Sequence, residues 1–124
     1  RAGSTTLYSF GNDDEQLQNY GWYVDNAGNA PYYLLHSIGM KLPNPWGLYD
    51  MQGNVAEMCL DSWHSTYTGA PIDGTAWAPG TGSSFVKRGG ASHTAAYYCR
   101  SADRVGQYYN YGDPYVGIRV VTGP

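Results

Sequence analysis

Charge is scarce in this chain: Asp, Glu, Lys and Arg together make 14% of its 124 residues. Disordered chains are charge-rich and aromatic-poor, so this scarcity, beside 15% aromatic residues, excludes intrinsic disorder. Long apolar runs are missing too. Nothing approaches the roughly 20 residues of a spanning helix, so no membrane insertion is expected in this segment. The only cysteines are Cys59 and Cys99, without CxxC spacing or a neighbouring histidine pair, which argues against zinc. One disulfide in an exported protein and two thiols in a reduced compartment both stay open, and so does localisation. His36, His64 and His93 lie far apart and read as ordinary surface or loop histidines. GxSxG, HExxH, P-loop and GxGxxG patterns are absent. Ser92 adjoins His93, but strand neighbours point to opposite faces and cannot pair as nucleophile and base. Basic groups are sparse as well. Lys87, Arg88, Arg100, Arg104 and Arg119 are spaced rather than clustered, and the net charge is −3, so no nucleic-acid partner is expected.

What is abundant is glycine (17), tyrosine (13) and, for a chain this short, proline (7). Gly and Pro at this density break up helices and favour a loop-rich α+β fold with short strands. Each buried phenol must find a hydrogen-bond partner, so this many tyrosines predicts that some rings face solvent or a ligand. The length suits a single domain spanning 1–124. The start, Arg1-Ala-Gly, reads like the interior of a longer chain.

Along the chain, residues 5–10 alternate and suggest a short strand or extended segment ending at Gly11. Asn12 to Gln18 offers a cap and early acids, hence a helical turn or two closed by Gly21. Residues 25–33 form a turn-rich loop. Residues 43–55 combine Pro, Gly, Asn, Trp and Tyr in a way that no regular element tolerates, which predicts a built loop. A strand follows over 56–63, with Glu57, Cys59 and Asp61 on one side. Residues 66–84 read as surface loop, and further strands are expected at 85–88, 97–102 and 116–121. Trp46, Tyr49, Val55, Met58, Ile118 and Val120 are core candidates. The arginines Arg88, Arg100, Arg104 and Arg119 are expected to pair with Glu57, Asp61 or backbone carbonyls.

Four stretches in order, Lys41 to Cys59 (KLPNPWGLYDMQGNVAEMC), Arg88-Gly-Gly90, Cys99 to Arg104 (CRSADR) and Gly117-Ile-Arg119, resemble the formylglycine-generating enzyme / sulfatase-modifying factor family. The resemblance implies a loop-rich variant of the C-type lectin fold with short antiparallel strands and few helices, with this chain as its C-terminal part. It also implies a possible calcium ion on Asp50, Gly53, Val55 and Glu57; two carboxylates and two carbonyls suit a hard cation. The oxidases of that family bind copper through a cysteine pair after the Gly-Gly motif. Here Ala91 to Tyr98 contains no cysteine, which removes the thiolate ligands that copper(I) favours.

The remaining branch that fits is the variable proteins of diversity-generating retroelements, in which adenine randomisation of Asn-type codons yields Tyr, His, Asp, Ser, Thr, Gly, Ala and Val. Residues of these types fill the intervals between motifs, over a variable region of about 91–118. The implied ligand-binding set is Ser92, His93, Thr94, Ala96, Tyr97, Tyr98, Asp103, Val105, Tyr108, Tyr109, Asn110, Tyr111, Asp113 and Tyr115; Gln107 and Pro114 are less typical. Tyr with small polar residues is also what a paratope uses, because a phenol gives rigid amphipathic area at low entropy cost. The function expected is capture of a protein or other macromolecular ligand without catalysis. An enzyme or pseudo-enzyme of the sulfatase-modifying type is the alternative.

Overall fold

The computed structural model describes residues 3–77, 84–108 and 110–120. Its regular elements are few and short. Asp13 caps the first, its carboxylate accepting the Glu15 amide, and a 3-10 turn at Asp14–Gln16 runs into helix α1, Leu17–Tyr20. This agrees with the expected capped turn, and the Gly21 amide closes it on the Leu17 carbonyl. A two-stranded hairpin follows inside the expected loop, β1 (Gly28–Asn29) with β2 (Tyr32–Tyr33).

The main sheet has four strands in the order β5–β4–β3–β6. These are β3 (Ala56–Ser62), β4 (Ser84–Arg88), β5 (Val105–Tyr108) and β6 (Val116–Ile118). Strand β3 pairs antiparallel with β4, Glu57 facing Arg88, and β4 pairs antiparallel with β5, Lys87 facing Val105. The β3–β6 pairing is parallel, which the expected set of antiparallel strands did not include.

Three expectations need correction. Residues 5–10 make only an isolated bridge, Tyr8 with Gly11, rather than a strand. Residues 97–102 are not a strand either: Ala96–Cys99 is a 3-10 turn. The turn carries Cys99 into the core cluster with Tyr8, Leu17 and Tyr23, and the Tyr8 hydroxyl donates to the Ala96 carbonyl. The core list also fails. Trp46 is 65% and Ile118 79% exposed, Tyr49 and Val120 are exposed, and Val55 and Met58 are half-buried. Trp46 points outward because Asn44 Oδ1 accepts both the Trp46 and Leu48 amides, closing a tight turn with that ring at its apex.

Beside that cluster, the interior around the loop at 43–55 is built from small and polar residues, among them Gln52, Asn54, Ala56, Ala91 and Ser92. Asn54 adopts φ 63, and its side chain bonds both the His36 amide and the His36 carbonyl. Its own amide donates to the Trp22 carbonyl, and its carbonyl accepts from Ser92. Gly53 sits at φ 77, and a Cβ there would overlap the Trp22 backbone, so glycine is required by both conformation and space. Cys59 and Cys99 are free thiols, one half-buried on β3 and the other buried in the core.

Candidate ligand-binding face

Four segments carry the expected binding residues: the turn after Gly90, the 3-10 turn, strand β5 and the 110–115 connection. Gly90 adopts φ 70, where L side chains are strained, and a Cβ would lie 2.5 Å from Cys99 Sγ. The turn it starts is locked by Thr94, whose hydroxyl bonds the Ala91 amide and carbonyl, both at 2.9 Å. The Thr94 carbonyl in turn accepts the Val24 amide.

On this frame the outward side chains are His93, Tyr97, Tyr98, Val105, Tyr108, Asn110 and Tyr111, with Tyr108 64% and Tyr111 70% exposed. Tyr97 and Tyr98 pack ring on ring at 3.9 Å, and Arg100 lies over Tyr97. His93 leans on the Tyr115 ring at 4.3 Å, and the Tyr115 hydroxyl donates to the Tyr33 carbonyl. Ala96 and Tyr115 are half-buried, and Tyr109 lies outside the described residues.

Not every expected contact residue points outward. Ser92 is fully buried, its hydroxyl without a hydrogen-bond partner. Asp113 staples the last connection to β4. Its carboxylate accepts Lys87 Nζ at 3.2 Å and the Tyr115 amide at 2.9 Å. Burial pushes the Asp113 carboxyl up, but those bonds together outweigh it and hold it below its ordinary value. Asp103 moves the opposite way: burial raises it against the nearby Arg100 and Arg88 charges. Gln107, atypical for randomised codons, is buried and donates to the Tyr111 carbonyl. It braces the turn that displays the rings.

His93, Thr94, Tyr98, Asp103 and Val105 converge on a cavity of about 190 Å³ that also touches Lys87 and Arg88 of β4. Strand β4, which leads into the Arg88-Gly-Gly90 motif, therefore borders the face. A larger cleft of about 640 Å³, also unforeseen, lies where Cys59, Asp61 and Arg88 meet Tyr67 and Trp77. Arg88 there donates to the Asp103 carbonyl and the Tyr67 hydroxyl. Arg104 bonds the His64 carbonyl and lies over the Trp63 and Tyr67 rings. The expected arginine bracing is therefore present, while Asp61 accepts the Trp77 amide.

Burial raises both thiols, Cys59 against the Arg88 charge and Cys99 up to about 11, so each rests protonated at neutral pH. The three histidines pack on aromatic rings, His36 on Trp22, His64 on Trp77 and His93 on Tyr115. Among the described residues no three His, Cys, Asp or Glu side chains gather as a metal site.

The calcium set fares poorly as a cradle. Asp50 Oδ1 is buried without a partner, which suits a cation, while Oδ2 accepts the Gly39 amide. Both Glu57 oxygens, however, accept Arg119 Nε at 2.8 and 3.0 Å, and Arg119 Nη2 also reaches the Tyr49 and Asp50 carbonyls. A guanidinium already compensates the carboxylate that calcium would need, so the arrangement does not fit a dication seeking six to eight oxygens.

The protein is 31% identical over 109 residues to the formylglycine-generating enzyme of Thermomonospora curvata, covering 82% of this chain and 35% of that one. Among solved structures, Treponema denticola variable protein 1 superposes with a TM-score of 0.82 at 34% identity, covering 94% of this chain and 41% of that one. PvdO from Pseudomonas aeruginosa gives a TM-score of 0.82 at 29% identity, covering 95% and 46%. The chain thus spans less than half the length of each of these relatives. Residues 1–124 match the sulfatase-modifying factor enzyme 1-like domain, and the chain belongs to that family, with its C-type lectin-like fold.

Proposed function

We infer that this chain is a ligand-binding variable protein, displaying a changeable aromatic face on a fixed frame and catalysing nothing itself. The observation that carries this reading is the outward set His93, Tyr97, Tyr98, Tyr108 and Tyr111, held by bonds that involve mainly backbone and inward-facing groups. Affinity would come from aromatic anchors on a stiff support, which loses little conformational entropy on binding. The partner is a protein or other macromolecule. Likeness to the Treponema variable protein supports the reading. The test is to sequence the 3′ end of the gene from several clones. Substitutions confined to adenine positions across residues 92–116 are expected; even scatter, or none, overturns the reading.

An enzyme of the formylglycine-generating type is the second reading, favoured by the family and by the polar groups around the smaller cavity. It requires a thiolate pair, and the two thiols here are unbonded, one half-buried on β3 and one buried in the core, with burial raising both. Tight one-to-one copper binding in a titration would establish it.

A further inference from the structure

The cavity beside the turn after Gly90 has a floor of Ala56, Gly90 and Ala91 and walls of His93, Tyr98 and Val105. The floor residues are small, Ala56 and Gly90 belonging to the frame and Ala91 standing buried at the very start of the variable region; the wall residues belong to the changeable face. Its volume, about 190 Å³, is below the roughly 300–1,000 Å³ of sites for drug-sized ligands. It is somewhat larger than a cavity of about 150 Å³ that admits benzene. One aromatic ring fills such a space.

The polar groups at its edge are largely occupied. Lys87 is paired with Asp113, Arg88 with the Asp103 carbonyl and the Tyr67 hydroxyl, and Thr94 with Ala91. What faces an occupant is therefore mainly methyl groups, glycine backbone and ring surface. His93, Tyr98 and Val105 line the cavity and also belong to the proposed binding face, so a chain seated on that face meets the cavity at its own contact residues. Binding interfaces concentrate their energy where one large side chain fills a dry central hole ringed by weaker contacts.

We propose that this cavity receives a single Phe- or Tyr-sized side chain from a protein ligand, and that this insertion is the anchor of binding. The inference rests on the ligand-binding reading and adds the chemical class of the anchor. Because its floor is Ala56, Gly90 and Ala91, changes in the surrounding tyrosines alter the rim while the need for a ring persists.

The test uses p-cresol, the tyrosine side-chain analogue, titrated into the full chain and followed by methyl NMR. Saturable shifts at Ala56, Ala91 and Val105 are expected at millimolar probe. They should be lost in Val105→Trp, which closes the mouth from an exposed position, and independently in Ala91→Leu, which fills the floor. Both variants are first checked for a native-like melt. Shifts that spread evenly over the tyrosines, or binding that survives whichever filling variant folds, overturn the proposal, as does the absence of any shift. Tyr108→Ser with Tyr111→Ser separates the two readings. Retained p-cresol shifts with no effect on capture of a selected protein ligand defeat the wider face alone. Lost capture without any p-cresol response defeats the anchor alone.

Discussion

The loop at residues 43–55 and the face at 93–111 are similarly irregular in backbone, yet they are held in opposite ways. In the first, buried side chains substitute for secondary structure. Asn44 closes its own turn, Asn54 ties His36, and Gln52 meets the Ser9 hydroxyl at 3.3 Å. Along the second, the largest side chains hold very little: Tyr108 and Tyr111 are mostly in water, while Thr94, Gln107 and Asp113 do the bracing from within. The comparison teaches that irregular backbone stays defined when its polar groups are satisfied internally. Its exposed rings are then spare.

Substitution in the first region should be ruinous. Gly53→Ala forces a Cβ onto the Trp22 backbone at a positive φ and is expected to cost more than about 4 kcal/mol, among the exceptional single changes. Denaturant melts check this, and a loss under 1 kcal/mol would mean that the loop is far softer than described. Asn54→Ala removes two bonds to His36 and the residue type that tolerates its backbone angle. A loss of about 2–4 kcal/mol follows from unpaired buried groups.

Alkaline titration sharpens the contrast from the core side. Cys99 titrates at about 11 in the fold, above its ordinary value of 9.0, because burial disfavours the thiolate. Between those values the unfolded chain releases the proton and the folded one keeps it, so stability is intact below pH 9 and falls as pH rises to 11. The expected fall is on the order of 2–3 kcal/mol. Melts across that range should show a shallower slope for Cys99→Ala. Some slope will remain, since Tyr8 and Tyr23 are raised by burial in the same direction.

Smaller still should be the effect of Tyr108→Ser with Tyr111→Ser. Stability should stay within about 0.5 kcal/mol per change, while capture of a selected ligand falls at least tenfold; a cooperative loss of folding would show that the rings support the frame. The least effect is expected from calcium. A true site loaded at 100 times its Kd would add about 2.7 kcal/mol, whereas the Arg119 clamp on Glu57 predicts no measurable shift in melting temperature with millimolar calcium or chelator.

The chain disclosed these two regions unequally. Local chemistry was legible: the Asp13 cap, the built loop around Asn44 and Asn54, and strands β3 and β4 all follow from residue type and spacing. The 3-10 turn at Ala96–Cys99 was not. A run of Tyr-Tyr-Cys suits a strand, and only the burial of Cys99 against Tyr8 and Leu17, far away in sequence, decides otherwise. The core was misread for a related cause. Apolar size pointed to Trp46 and Ile118, but packing near a glycine- and asparagine-rich loop selects small groups that approach closely. Outward display of Tyr108 and Tyr111 was foreseen from composition, whereas the burial of Ser92 in the same region was not, because composition does not say which way a side chain points.

That serine limits any repertoire built here. Its side chain is sealed off, and its amide is spent on the Asn54 carbonyl, so little beyond Gly, Ala or Ser can stand at position 92 without pushing on the frame. If the gene diversifies as the proposed function requires and the codon of Ser92 changes with the rest, a share of the offspring clones misfold before they meet a target. The usable library is then smaller than counting codons suggests, and that share is set by one hydroxymethyl group with no room around it.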